Sequence, residues 1–159
     1  MTKLFQVTIG GSKKNVALVQ PELANSKSNL PTHHMFVIDR SGSMYSSINN
    51  LIAQLHKAID VLEKDDLVTI SCFSGLGQSE IVVQASPVTD TVHRLIDTLN
   101  FTVGTTCFSE IMSKLNKAME SLKDVCAQSV LHVFTDGCPV VPWSVQEETG
   151  RVLAGIKKL

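Results

Sequence analysis

Hydrophobic and polar positions change period several times along this chain, and each change marks a predicted element. Leu4 to Ile9 and Val16 to Val19 are short alternating segments on either side of Gly10-Gly11-Ser12-Lys13-Lys14-Asn15, the pattern of a β-hairpin. Pro21 to Pro31, polar and rich in Ser and Asn, reads as a linker. His33 to Asp39 holds the apolar run Met35-Phe36-Val37-Ile38 of a buried strand, and Ile48, Leu51, Ile52, Leu55, Ile59 and Leu62 follow at helical spacing. Lys64-Asp65-Asp66 ends that helix. Leu67 to Phe73 is a second apolar strand. Ser74 to Ser79 then turns the chain into Glu80 to Ala85, through a connection short enough to make this third strand antiparallel. Val92, Leu95, Ile96 and Leu99 predict a short helix; Phe108, Ile111, Met112, Leu115, Met119 and Leu122 predict a longer one. Val130 to Thr135 supplies another buried strand, and Trp143 to Leu159 reads as a last helix with Val145, Val152, Leu153 and Ile156 on its apolar side.

Strands and helices alternating in this way predict an α/β domain of three layers: a Rossmann-like, mostly parallel sheet with helices on both faces and one antiparallel edge strand. The expected division is a hairpin and linker over residues 1–31 and the main domain over residues 32–159.

Composition narrows the classes of partner. With 159 residues, 43% of them hydrophobic, the chain can bury one real core and has little room for two. Fourteen Lys and Arg against fifteen Asp and Glu leave a formal charge of −1, with no run as long as about five or six like charges, so neither nucleic acid nor a membrane is an expected partner. The N-terminal alternation lacks the continuous apolar core of a signal peptide, and the expected location is cytoplasmic. Cys72, Cys107, Cys126 and Cys138 are scattered and form no C-x-x-C pair, so buried free thiols are expected.

The chemistry concentrates at the predicted carboxyl ends of the strands, where open α/β sheets carry their binding crevice. Asp39-Arg40-Ser41-Gly42-Ser43 sets one carboxylate and two hydroxyls at alternate positions directly after the first buried strand. Asp136, in Phe134-Thr135-Asp136-Gly137, ends another strand, and Thr105 and Thr106 lie in a loop that leads into the helix beginning near Phe108. A small divalent cation such as Mg²⁺ takes hard oxygen ligands and keeps several waters, which suits one carboxylate with short neutral hydroxyls. A Ser/Gly turn whose aspartate caps the next helix is the structural alternative for the pentapeptide alone. The histidines suggest no shared ion: His33 and His34 are adjacent on a strand and point to opposite faces, His56 and His93 fall in helices, and His132 interrupts a buried strand. Cys107 and Cys138 neighbour the candidate metal loops, where they could respond to oxidation or to Zn²⁺.

Asp-x-Ser-x-Ser, a threonine after a glycine-containing loop and Thr-Asp-Gly together resemble the metal-ion-dependent adhesion site of a von Willebrand factor type A domain, over roughly residues 32 to 159. Carried over by position, the resemblance implies a metal bound by Asp39, Ser41, Ser43, Thr106 and Asp136, with Thr105 in place of Thr106 if the loop is shifted by one residue. Thr135-Asp136-Gly137-Cys138-Pro139 followed by Trp143 is similar to the bacterial stress-response and tellurite-resistance branch. The family's usual fold continues past this point into further strands and a closing helix. Either this sequence is a piece of a longer protein or the sheet is cut short; in the second case a sheet edge is expected to be open to self-association unless the N-terminal hairpin covers it.

The implied function is a non-catalytic interaction module. Mg²⁺, or Mn²⁺ or Ca²⁺ in its place, captures the Asp or Glu carboxylate of a protein partner. Tyr45 and Trp143 are candidate contact residues, with Trp143 alternatively anchoring its own helix. The competing class is a metal-dependent hydrolase or phosphatase-like enzyme with Asp39 as nucleophile. Against it, Ser41 occupies the position where phosphatase-type chemistry wants a second acid, Gly-x-Ser-x-Gly is missing, and Gly75-Leu76-Gly77 lacks the third glycine of a dinucleotide loop. A scaffold subunit with an idle metal site is the third class.

Overall fold

The structure, a computed structural model, describes residues 2–9, 12–19, 30–100, 104–136, 140–141 and 143–156. Strands β1 (Thr2–Ile9) and β2 (Ser12–Val19) pair antiparallel in a two-stranded sheet of their own, in a register that sets Ile9 opposite Ser12. The expected turn is therefore too long: Ser12 to Asn15 are strand residues, and only Gly10-Gly11 lies between the paired ends. Gly-Gly is a favoured two-residue hairpin connection, so pairing can run right up to it.

The second sheet contains β3 (Thr32–Asp39), β4 (Leu67–Phe73), β5 (Glu80–Pro87) and β6 (Gln128–Phe134) in the order β5-β4-β3-β6. β3 pairs parallel with β4 and β6, whereas β5 runs antiparallel on the outside of β4. A 3₁₀ segment, Gly42–Ser47, leads from β3 into α1 (Ile48–Asp60); α2 (Asp90–Asp97), α3 (Phe108–Glu120) and α4 (Val145–Ile156) complete the described helices. Among the described residues no helix is long and apolar enough to cross a membrane.

Alternation along β3 divides the core into two layers. Phe36 and Ile38 point to one face, where they pack with Leu51, Leu55 and Ile59 of α1 and Val92 and Ile96 of α2. Met35 and Val37 point to the other, against Ile111, Met112 and Leu115 of α3, with Val152 of α4 packed alongside. Helices therefore cover both faces of the sheet. β3 is buried on both sides, which is why its sequence is a continuous apolar run.

Two helix starts follow from hydroxyl caps. The Thr89 side chain accepts from the Val92 N–H at 3.4 Å and starts α2. Ser144 Oγ accepts from the Glu147 N–H at 3.1 Å, so α4 starts at Val145 and not at Trp143. Residues 157–159 of the expected last helix lie outside the described residues.

The histidines of the sheet are structural. His33 is fully buried and bridges β4 and β6, its Nε2 2.7 Å from Thr69 Oγ1 and its Nδ1 3.3 Å from Ser129 Oγ. His34 Nδ1 meets His132 Nε2 at 3.1 Å, and the His132 ring lies parallel to Phe36 with centroids 4.6 Å apart. Burial, and secondarily the neighbouring His34, lower the His33 and His132 pKa values to about 4, so both are neutral in the fold.

Candidate metal centre

Strand order fixes the place of the site. The chain leaves β3 toward β4 on one side and later returns to β6 on the other, so the carboxyl ends of β3 and β6 flank the point where strand order reverses. Ile38 pairs with Phe134 in that register, which brings the next residues, Asp39 and Thr135, side by side.

Asp39 is 1% exposed. Its Oδ1 accepts from the Ser41 N–H at 2.8 Å and its Oδ2 from the Thr135 hydroxyl at 2.7 Å. Both donors are neutral, so they fix the direction of the carboxylate without cancelling its charge, and a buried anion held in this way favours a cation nearby. Ser41 is buried, Ser43 is exposed, and their hydroxyl oxygens stand 3.0 Å apart. The Asp39 loop is itself tied down, with Arg40 N–H donating to Phe73 O at 2.8 Å and Arg40 Nη2 paired with Glu80 at 2.6 Å.

The threonine loop reaches the same edge through its backbone. Gly42 N–H points to Gly104 O at 3.5 Å, which joins the Asp39 loop to the segment before α3. Thr106 is 2% exposed and bridges antiparallel to Val140, beyond Asp136, through N–H···O contacts of 3.3 and 3.0 Å. Thr105 is exposed, and its carbonyl accepts from Ser74 Oγ at 3.1 Å. Asp136, half-buried, directly follows Thr135. The three segments thus meet at one edge. Thr135 meets Asp39 and Ser41 meets Ser43 side chain to side chain, Ser41 reaches Asp39 through its backbone N–H, and Thr106 is placed through its main chain. Gly137 to Pro139, with Cys138, lie outside the described residues, and so does the expected approach of Cys138 to Cys107. Cys72, Cys107 and Cys126 are free and buried.

The donor set fits a small hard cation. Mg²⁺ binds oxygen at about 2.0–2.1 Å in an octahedral shell, so two neighbouring ligands stand about 2.9 Å apart. The Ser41–Ser43 oxygen separation of 3.0 Å matches one edge of that octahedron. Among the described residues no group of three or more His, Cys, Asp and Glu is arranged to hold a metal ion.

Two residues that the sequence reading left without a role hold the surroundings in place. Thr135 was visible only as part of Thr-Asp-Gly; the parallel register is what turns its hydroxyl onto Asp39. Glu148, 1% exposed on α4, accepts from Ser109 N–H at 2.7 Å, Ser109 Oγ at 2.9 Å and Trp143 Nε1 at 2.8 Å. Trp143 is therefore tied to α4 while Glu148 links α4 to the start of α3, and the Arg151 guanidinium lies 4.3 Å from the Trp143 ring centre. A glutamate in the first turn of a surface-patterned helix carries no sequence signal of that burial.

This fold, with its oxygen-rich edge at the strand switch, defines a class, and comparison with known proteins gives the family. The model of the von Willebrand factor type A domain matches residues 34–139, and the chain belongs to that family, whose members typically act in adhesion and protein interaction and are usually non-catalytic. The fold is similar to that of the von Willebrand factor domain of the type V pili tip protein Mfa5 from Porphyromonas gingivalis, with a TM-score of 0.59 and 14% identity over 69% of this chain and 39% of that one. It is also similar to proximal thread matrix protein 1 from the mussel byssus, with a TM-score of 0.54 and 16% identity over 77% of this chain and 33% of that one. At these identities the likeness is one of fold, and the chain spans well under half the length of either protein. No curated protein sequence matches the chain.

Proposed function

We propose that this chain is a divalent-metal-dependent protein-interaction module in which Asp39, Ser41, Ser43, Thr106 and Asp136 hold Mg²⁺ and an Asp or Glu of a partner protein completes the shell. The observation that carries the reading is the Ser41–Ser43 oxygen pair, 3.0 Å apart beside a buried carboxylate held by neutral donors. When bound, the cation supplies a strong, incompletely neutralised positive charge at the strand edge. The chain's own residues do the rest. Thr135 and the Ser41 N–H orient Asp39, and the neutral hydroxyls of Ser41 and Ser43 add oxygen ligands without adding negative charge. Gly42, Gly104 and Val140 keep the three loops in register. Tyr45, 74% exposed just beyond Ser43, would contact a docked partner in this reading.

The same reading makes the module non-catalytic, in line with the family's usual role. The similarity to the stress-response and tellurite-resistance branch rests on Thr135-Asp136-Gly137-Cys138-Pro139 with Trp143. Binding of an immobilised acidic peptide in the presence of Mg²⁺, and its release by a chelator, tests the proposal. Retention that survives both chelator and the Asp39→Ala, Ser41→Ala double variant would instead favour a scaffold with an idle site.

A further inference from the structure

His56 of α1 and His93 of α2 meet head to head on the face of the sheet covered by those helices. Their Nδ1 atoms are 2.8 Å apart, the ring centroids are 5.1 Å apart and the rings are inclined by only 12°. The centroid separation exceeds the nitrogen separation by about one ring's width, so the rings lie edge to edge in nearly one plane with these nitrogens directed at each other. Each outer nitrogen faces a carboxylate: His56 Nε2 is 2.8 Å from Asp97 Oδ1, and His93 Nε2 is 3.5 Å from Asp60 Oδ1.

Hydrogen-bond bookkeeping decides what lies between the rings. An ionised carboxylate only accepts, so His56 Nε2 donates to Asp97 and, with that nitrogen carrying the ring's proton, His56 turns an Nδ1 lone pair inward; His93 Nε2 lies at ion-pair distance from Asp60, and either nitrogen of His93 can carry its proton. The 2.8 Å contact closes either as a hydrogen bond, with the proton on His93 Nδ1, or, when both rings carry their protons on Nε2, as two inward lone pairs that call for a cation between them. One shared proton meets that need, and so does a metal ion. A histidine whose other ring nitrogen donates to a carboxylate is the usual arrangement of a metal-bound imidazole, because the carboxylate fixes the tautomer and raises the basicity of the ligating nitrogen.

We infer that His56 and His93 form a binding site for a divalent transition-metal ion of the Zn²⁺ class, held through both Nδ1 atoms, oriented by Asp97 and Asp60, and completed by water. Imidazole suits Zn²⁺, Ni²⁺ and Cu²⁺, whereas Mg²⁺ and Ca²⁺ prefer oxygen, so the site is chemically separate from the Asp39 edge and does not depend on its function. Zn–N bonds of about 2.0–2.1 Å at a tetrahedral angle need the two nitrogens about 3.3 Å apart. The rings must therefore part by about half an ångström, which side chains roughly a quarter exposed permit. The ion takes the place of the proton between the rings, which moves to His93 Nε2 facing Asp60, and it ties α1 to α2.

Titration calorimetry with Zn²⁺ on the full chain, in excess Mg²⁺, tests the assignment. The expected result is one Zn²⁺ per chain, retained in Asp39→Ala, weakened at least tenfold in His56→Gln and in His93→Gln, and weakened about tenfold to a hundredfold in Asp97→Asn. Imidazole ¹⁵N spectra of the wild-type protein keep the test independent of how the variants fold: Zn²⁺ should shift the Nδ1 signals of His56 and His93 together. Absence of Zn²⁺ binding, unchanged binding in both glutamine variants, or shifts confined to other histidines would overturn the assignment.

Discussion

The hydroxyl of Thr135, the first residue beyond β6, donates to Oδ2 of Asp39, the last residue of β3, across 2.7 Å. This one contact ties two parallel strands together at their carboxyl ends and aims the buried carboxylate that the candidate metal centre is built around. Thr135→Val keeps the shape of the side chain and removes the donor. It should lower stability by about 1–3 kcal/mol, the usual worth of a hydrogen bond to a charged group. Mg²⁺ affinity should fall with it, because Asp39 is then free to turn. Chemical denaturation and metal titration of the same variant check both effects.

Gly104 and Gly42 make a paired test of the loop contact. A Cβ on Gly104 would press against Ser74 Oγ and Gln78 Oε1, and Ser74 cannot withdraw without giving up its bond to Thr105 O. Nothing lies within 4 Å of a Cβ on Gly42. Gly104→Ala should therefore cost about 1–3 kcal/mol and loosen the threonine loop. Gly42→Ala should change stability by less than about 1 kcal/mol. Equal melting temperatures for the two variants would contradict this account of how the loops are packed.

Acid should weaken the fold through its buried histidines. His33 and His132 are held neutral, with pKa values lowered to about 4 from an ordinary 6.5. As pH falls from about 6.5 toward 4, the unfolded chain takes up protons that the native state refuses, so stability present above pH 6.5 is lost across that window. For His33, which is fully buried, the loss is up to about 3 kcal/mol. His33→Gln should flatten this part of the pH–stability profile, measured by urea denaturation between pH 4 and 7.

Glu148 should matter more than its place on a surface helix suggests. Three donors from Ser109 and Trp143 converge on it. Glu148→Ala leaves all three without their acceptor and should cost about 3 kcal/mol or more. Trp143→Phe removes one of them and should cost about 1–2 kcal/mol. Hydrogen exchange at the Ser109 amide reports the loss directly.

Periodicity located β3, β4 and α1 to α3 because each buries a face whose spacing is written in Val, Ile, Leu and Met, whereas Leu153, expected on the apolar side of α4, is 51% exposed. It missed where β2 begins, since Ser12 to Asn15 are polar and show no apolar alternation. It also started α4 two residues early, because Trp143 is apolar and only the Ser144 hydroxyl cap marks the true beginning. Around the candidate site, Asp39, Ser41, Ser43 and Asp136, with Thr105 and Thr106 together, stood out by residue type and position, and the choice of Thr106 rests on the family resemblance. Thr135 and Glu148 did not, because their parts depend on strand register and on burial between two helices. The pairing of His56 with His93, 37 residues apart on two helices, likewise had no local signal.

The central claim is tested most directly by calorimetric titration of the chain with Mg²⁺ and with Mn²⁺, wild type beside Asp39→Ala. The account predicts one ion per chain for the wild type, weaker binding in Ser41→Ala, and none in Asp39→Ala. No binding of either ion by the wild type at millimolar concentration, or binding that Asp39→Ala leaves intact, would contradict it.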